Sequence, residues 1–151
     1  MISTEMKTLF ASLDGLFGQM NAIAENLELV IKQERDAVRR IDGDSLVELC
    51  ERRAQCHQLL TGLEQECWAL LKTSGVPEEM TIEAFIELYA GADAMYFQAL
   101  RRNLYERMAH IERDNAENYI RLHAAFDVTS SVLQQIGVEK SSQTYEPGSV
   151  R

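Results

Sequence analysis

Apolar residues recur in a heptad pattern that runs without a break from residue 10 to residue 41. The steps alternate between three and four residues, and the series is Phe10, Leu13, Phe17, Met20, Ala24, Leu27, Ile31, Glu34, Val38 and Ile41. Only Glu34 is polar, and a second apolar stripe beside the first widens the face: Leu9, Leu16, Ile23, Val30 and Ala37. A 3.5-residue repeat held over this length predicts a helix that packs against other long helices. The wide face favours more than one neighbour at a time.

A second heptad series follows a short polar break at residues 42–45, and its phase is offset from the first. Its members are Leu46, Leu49, Arg53, Cys56, Leu60, Leu63, Cys67 and Leu70. Ser45 and Glu48 have the spacing of a capping box, which predicts that a new helix begins there. A short turn between two antiparallel helices explains the offset, with a single kinked helix as the competing interpretation.

Glycine and proline positions divide the rest of the chain. Gly75 and Pro77 predict the end of the second helix and the start of a short helix over residues 78–89. A long last helix is predicted from about Asp93, which can cap it, to Ile136, where Gly137 ends the pattern. Within the first helix, which begins at residue 3 or 4, glycines 15 and 18 predict a bend or a delayed start.

These patterns predict an all-α fold. We expect an elongated antiparallel bundle of three long helices plus one short helix, with coiled-coil-like packing. The domain organisation expected is a helical bundle over residues 1–137 and a flexible polar tail over residues 138–151.

The charge and composition exclude several classes of partner. A net charge of -9 in a chain of 151 residues disfavours nucleic acid and anionic membranes, which require basic surfaces. No apolar run approaches the 18 or so residues of a transmembrane span, and the N-terminus lacks the pattern of a secretory signal. Three cysteines, an odd number in a helical segment, predict reduced thiols and a cytoplasmic location.

Residues for catalysis or metal binding do not form a recognisable pattern. None of the three histidines, His57, His110 and His123, follows a glutamate at the Glu-x-x-His spacing of di-iron bundles. A histidine phosphotransfer domain fits poorly, because no lysine and glycine stand at the required places near a histidine. The cysteines, Cys50, Cys56 and Cys67, lie in or beside a helix seam, which predicts small packing residues. We therefore expect no enzyme activity, no metal and no cofactor.

The seam of the last helix is less regular than that of the first. Asn115 and Asn118 occupy consecutive seam positions, where polar groups cost stability and can fix register or partner choice. A broad apolar face follows them: Tyr119, Leu122, Phe126, Val132, Leu133 and Ile136. Either the first two helices cover this face completely, or part of it stays open as a groove for a partner helix.

Three groups of residues carry a resemblance that covers nearly the whole chain. The first is Leu27, Ile31, Glu34, Arg35, Val38, Asp42, Leu46, Leu49, Arg53, Leu59, Leu60, Leu63 and Glu64. The second is Asn115, Asn118 and Leu122, followed by Val132, Leu133 and Ile136. The third is the tail segment 144–148, which looks like a Tyr-Gly-x-x-Gly ending except that Glu146 stands where glycine is usual. With these residues the chain resembles the flagellar export chaperones of the FlgN type.

The resemblance implies a cytoplasmic chaperone that holds hook-associated junction proteins before type III export. It implies binding of their amphipathic C-terminal helices by the C-terminal part of this chain, with export apparatus components as further partners. The client-binding residues expected are Asn115, Asn118, Tyr119, Leu122, Phe126, Val132, Leu133 and Ile136. The alternative is a structural coiled-coil protein or adaptor that homodimerises through the same faces. Arg53, the polar residue of the second seam, is expected either to extend to solvent or to pair with Glu34.

Overall fold

The computed structural model describes residues 3–137, which are helical over most of their length and include no strand. The all-α prediction is therefore confirmed for this part of the chain. The helices are α1 (Thr4–Arg40), α2 (Gly43–Thr73), α3 (Ile82–Tyr89) and α4 (Ala94–Gln135), with a 3₁₀ turn at Gly91–Asp93. The predicted flexible tail, residues 138–151, and the segment 144–148 lie outside the described residues.

Helix α1 begins where its sequence supplies a cap. The hydroxyl of Ser3 accepts a hydrogen bond from the backbone N–H of Met6, at 3.2 Å. The helix then continues through both early glycines, so the delayed start predicted there does not occur. It ends at Ile41, which adopts the left-handed conformation with φ 53° and is 70% exposed. The prediction that Ile41 closes the buried seam is wrong, because the chain leaves the helix at that residue.

Helix α2 begins at a different cap from the one predicted. Asp42, immediately after the left-handed residue, accepts hydrogen bonds from the backbone N–H of Ser45 at 3.2 Å and from its hydroxyl at 2.7 Å. These two hydrogen bonds lower the pKa of the Asp42 carboxyl. The capping box starting at Ser45 is therefore wrong, since Ser45 already lies inside the first turn and donates to the cap. Two residues join α1 to α2, and no single kinked helix forms.

The short helix also begins later than Pro77. Its first residue is Ile82, and the hydroxyl of Thr81 accepts a hydrogen bond from the N–H of Ala84 at 3.1 Å. Asp93 occupies the N-cap position of α4 but makes no side-chain capping hydrogen bond, so the capping role predicted for it is wrong. Instead, a 3₁₀ turn directly precedes α4, so the backbone already has a helical turn where this helix begins.

Helix α1 lies between α2 and α4, and both pack along it. Arg53 of α2 reaches Glu34, whereas Cys67, late in α2, joins the core cluster that contains Phe17, so α2 runs opposite to α1. The contacts between α4 and α1 advance along both helices in the same order, so these two helices are parallel. Their order is Tyr96 to Asp14 at 2.7 Å, Arg107 to Glu28 at 2.7 Å and Asn118 to Ile31 at 2.8 Å. The three long helices thus run up, down and up.

The core is thickest at the end of the bundle where α3 packs. Phe10 of α1 stacks on Phe85 of α3 with ring centroids 5.2 Å apart, and it meets Phe97 of α4 at 4.8 Å. Toward the other end the buried clusters become smaller, and the last consists of Val30, Ala37 and Leu49, with Leu46 packed against it. No α4 residue belongs to that last cluster, so the bundle is less closely packed where α4 leaves it.

Candidate partner-binding surface

Helix α4 buries no side chain beyond Asn118, although α1 continues. Its hydrogen bond from Asn118 reaches the carbonyl oxygen of Ile31, about two and a half turns before α1 ends at Arg40. Between residues 119 and 137 every side chain is exposed except those of Ala125 and Ser130, which are half-buried. We call residues 119–136 the terminal segment. Among the described residues, it is the longest stretch of helix that lacks buried side chains.

Six of the eight predicted binding residues lie on this segment: Tyr119, Leu122, Phe126, Val132, Leu133 and Ile136. Each is between 39% and 67% exposed. At 3.6 residues per turn, Leu122, Phe126 and Leu133 fall within about 40° of one another, with Val132 on the flank. The same stripe includes Ile111, which is buried against α1. The face that packs on α1 earlier in the helix therefore continues into the exposed terminal segment.

The two asparagines lie before the terminal segment. Asn118 is buried, and its side-chain amide donates a hydrogen bond to the carbonyl oxygen of Ile31 at 2.8 Å. Its Oδ1 atom is also buried and has no hydrogen-bond partner within residues 3–137. Asn115 is half-buried. Asn118 therefore faces α1 and fixes where α4 lies, whereas Asn115 sits at the boundary with solvent.

A groove with a volume of about 570 Å³ connects the terminal segment with α1 and α2. Val38 and Glu34 of α1 form its base, Leu46 and Cys50 of α2 form one side, and α4 forms the other. We call it the terminal groove. Its α4 side includes Asn115, Asn118, Tyr119 and Leu122 of the predicted set. Sequence reasoning missed the α2 side, and Leu46 was recognised there only as a seam residue.

A buried ion pair lies at the base of the terminal groove. The Nε atom of Arg53 is 2.8 Å from Oε1 of Glu34, which is 4% exposed. Burial by itself lowers the pKa of the Arg53 guanidinium, but its hydrogen bonds to Glu34 and to the Cys50 sulfur, together with the charges of those two groups, outweigh that effect and raise it. The predicted pairing of the two polar seam residues is confirmed.

The cysteines differ in their surroundings. Cys67 is buried, Cys56 is half-buried and Cys50 is exposed. Burial, followed by the charge of Glu64, raises the pKa of the Cys67 thiol to about 11. Cys67 is therefore a neutral packing residue at ordinary pH. The expectation of a packing role is wrong for Cys50, whose side chain lies at the rim of the terminal groove.

Within residues 3–137 no three histidine, cysteine, aspartate or glutamate side chains lie close enough to hold a metal ion together. Over the same residues, no helix has the length and apolar character that a membrane crossing requires. The chemistry on this surface is that of apolar burial with a few placed polar groups.

Comparison with known proteins gives one match. A family model described as FlgN protein matches residues 5–149, nearly the full length of the chain. No curated protein matches, and no solved structure matches.

Proposed function

Because the chain belongs to the FlgN family of flagellar export chaperones, we propose that its terminal segment binds the amphipathic C-terminal helices of hook-filament junction proteins. The proposal places the protein in the cytoplasm, where a client would otherwise assemble before export. It includes export apparatus components as later partners, and the chaperone carries out no reaction itself. The observation that supports it most directly is the uncovered apolar face of α4 beyond Asn118.

The mechanism we propose is burial. A client helix that lies along Leu122, Phe126 and Leu133 would extend the contact that α1 makes with the earlier part of α4. Covering about 600 Å² of apolar surface gives about 15 kcal/mol before costs, at 25 cal/mol/Å². Association and side-chain ordering remove much of this, so we expect dissociation constants between micromolar and nanomolar.

Phe126→Asp tests the proposal with little risk to the fold, because Phe126 is 67% exposed. Losing the buried ring and placing a charge in the contact should cost about 3 kcal/mol, or about 100-fold in affinity. The measurement is calorimetric titration with a junction protein, with and without its C-terminal helix. Leu59→Asp is the matched control, since Leu59 is 59% exposed on α2 and lies outside the described grooves.

Three results would contradict the proposal. The first is no binding of the intact client, and the second is equal binding after its C-terminal helix is deleted. The third is a stable homodimer through the terminal segment that no client displaces, which would favour the alternative of a structural coiled-coil protein. Circular dichroism must show that Phe126→Asp keeps its helicity, because unfolding would place Phe126 in the core instead.

A further inference from the structure

A second groove lies between α2 and α4 at the other end of the bundle, beside α3. Its volume is about 340 Å³, and its base is formed by the buried side chains of Phe17 and Met20. Trp68 stands on the α2 side, and Tyr105 and Met108 stand on the α4 side. We call it the lateral groove. It is separate from the terminal segment, because Tyr105 and Phe126 are about 32 Å apart along α4.

The sides of the lateral groove have the composition of a protein-binding surface. Trp68, the single tryptophan of the chain, is 43% exposed, and Tyr105 on the opposite side is 71% exposed. Tryptophan and tyrosine are enriched among residues that dominate binding energy. Methionine adapts its shape to different partners, and Met108 is half-buried on the α4 side.

The charges around this groove indicate what kind of partner fits it. Arg101 lies on the α4 side but is 3.8 Å from Glu83 of α3, so its charge is compensated. Glu64 on the α2 side is exposed and forms no ion pair within residues 3–137. Glu64 is therefore the one uncompensated charge among the residues that line the lateral groove, in a chain of net charge -9.

We propose that the lateral groove is a second docking surface, which takes a partner helix whose apolar stripe is flanked by lysine or arginine. Such a helix would insert its apolar side chains between Trp68 and Tyr105 and place a cation near Glu64. It would fill the open position between α2 and α4 and complete a four-helix arrangement. Because Tyr105 and Phe126 are about 32 Å apart along α4, a client on Phe126 and Leu133 and a partner in the lateral groove can be bound together.

Trp68 reports directly on this groove. The probe is a synthetic leucine–lysine peptide of about 18 residues, about 27 Å long as a helix, with all its leucines on one stripe. Titrated into the full chain, it should shift Trp68 emission to the blue in a saturable manner. A scrambled peptide of the same composition and a leucine–glutamate peptide should each bind at least about tenfold more weakly.

Variants separate this groove from the client site. Tyr105→Asp and Glu64→Lys should each weaken binding of the leucine–lysine peptide at least about fivefold. Phe126→Asp and Leu59→Asp should leave its affinity within about twofold. The proposal is overturned by the absence of a saturable shift, by an equal response to the scrambled peptide, or by loss of the response in Phe126→Asp. An emission shift that follows protein concentration without peptide would also overturn it, since the occupant would then be a second copy.

Discussion

Removing Arg53 should destabilise the protein far more than removing the arginine next to it. Glu34 is 4% exposed, and its one ion-pair partner within residues 3–137 is Arg53, at 2.8 Å. Arg53→Met keeps a side chain of similar length but leaves the Glu34 carboxylate buried without its cation. Breaking a buried pair from one side costs about 3–5 kcal/mol. Since the Arg53 side chain is 28% exposed, water can reach the site, and we expect the lower end, about 3 kcal/mol.

The assay is urea unfolding followed by circular dichroism, with a loss of about 3 kcal/mol in the extrapolated free energy of unfolding. The melting temperature should fall by about 6–12 °C, at about 2–4 °C per kcal/mol for a protein of this size. Arg52→Met is the matched control. Arg52 is 55% exposed and pairs at 3.6 Å with Glu48, which is 70% exposed. Its removal should change stability by less than about 0.5 kcal/mol.

The double variant Glu34→Leu with Arg53→Met isolates the cause. Replacing both charges with apolar groups removes the unpaired carboxylate, so stability should return to within about 1 kcal/mol of the native chain.

The reasoning is refuted if Arg53→Met loses less than about 1 kcal/mol, because Glu34 would then be solvated in the folded protein. It is also refuted if the double variant is no more stable than Arg53→Met, since the loss would then come from packing of the arginine stem.

Two further predictions concern single residues away from the binding surfaces. Ile41→Gly should raise the free energy of unfolding by about 1 kcal/mol in urea, because a β-branched residue at φ 53° is strained and Ile41 is 70% exposed. Lower stability would show that its remaining contacts outweigh the strain. For Cys67, a pKa of about 11 leaves about 100-fold less thiolate at neutral pH than an ordinary thiol has, so a thiol reagent should modify Cys50 first. The pKa of the Cys67 thiol is higher in the folded state than in the unfolded state, so the free energy of unfolding should fall as pH rises from about 9 toward 11. It should fall less over that interval in Cys67→Ala. Equal modification rates of the two thiols in single-cysteine variants would contradict the burial of Cys67.

The existence of the helices and the ion pair between Glu34 and Arg53 were both predictable from periodicity. Glu34 and Arg53 are the polar exceptions in two apolar seams, and seams that face each other bring such exceptions together. Helix ends were harder to predict. Asp42 takes the role expected of Ser45, because the cap depends on where the preceding left-handed residue turns the chain. The short helix begins only after Thr81, which caps it, although by sequence Pro77 suits a first helical turn equally well.

The candidate binding surface also combines features that were predictable from the sequence with features that were not. The sequence determined that the last helix carries an apolar face interrupted by Asn115 and Asn118, because a helical face is a property of one chain segment. Only the tertiary structure decided that Asn118 is covered by α1, whereas Tyr119 and Phe126 are not. The exposure of a side chain on α4 depends on where the neighbouring helices end and on their register against α4. The residue pattern of α4 itself encodes neither. The heptads thus specified what can be buried, and the packing of α1 and α2 left part of it uncovered.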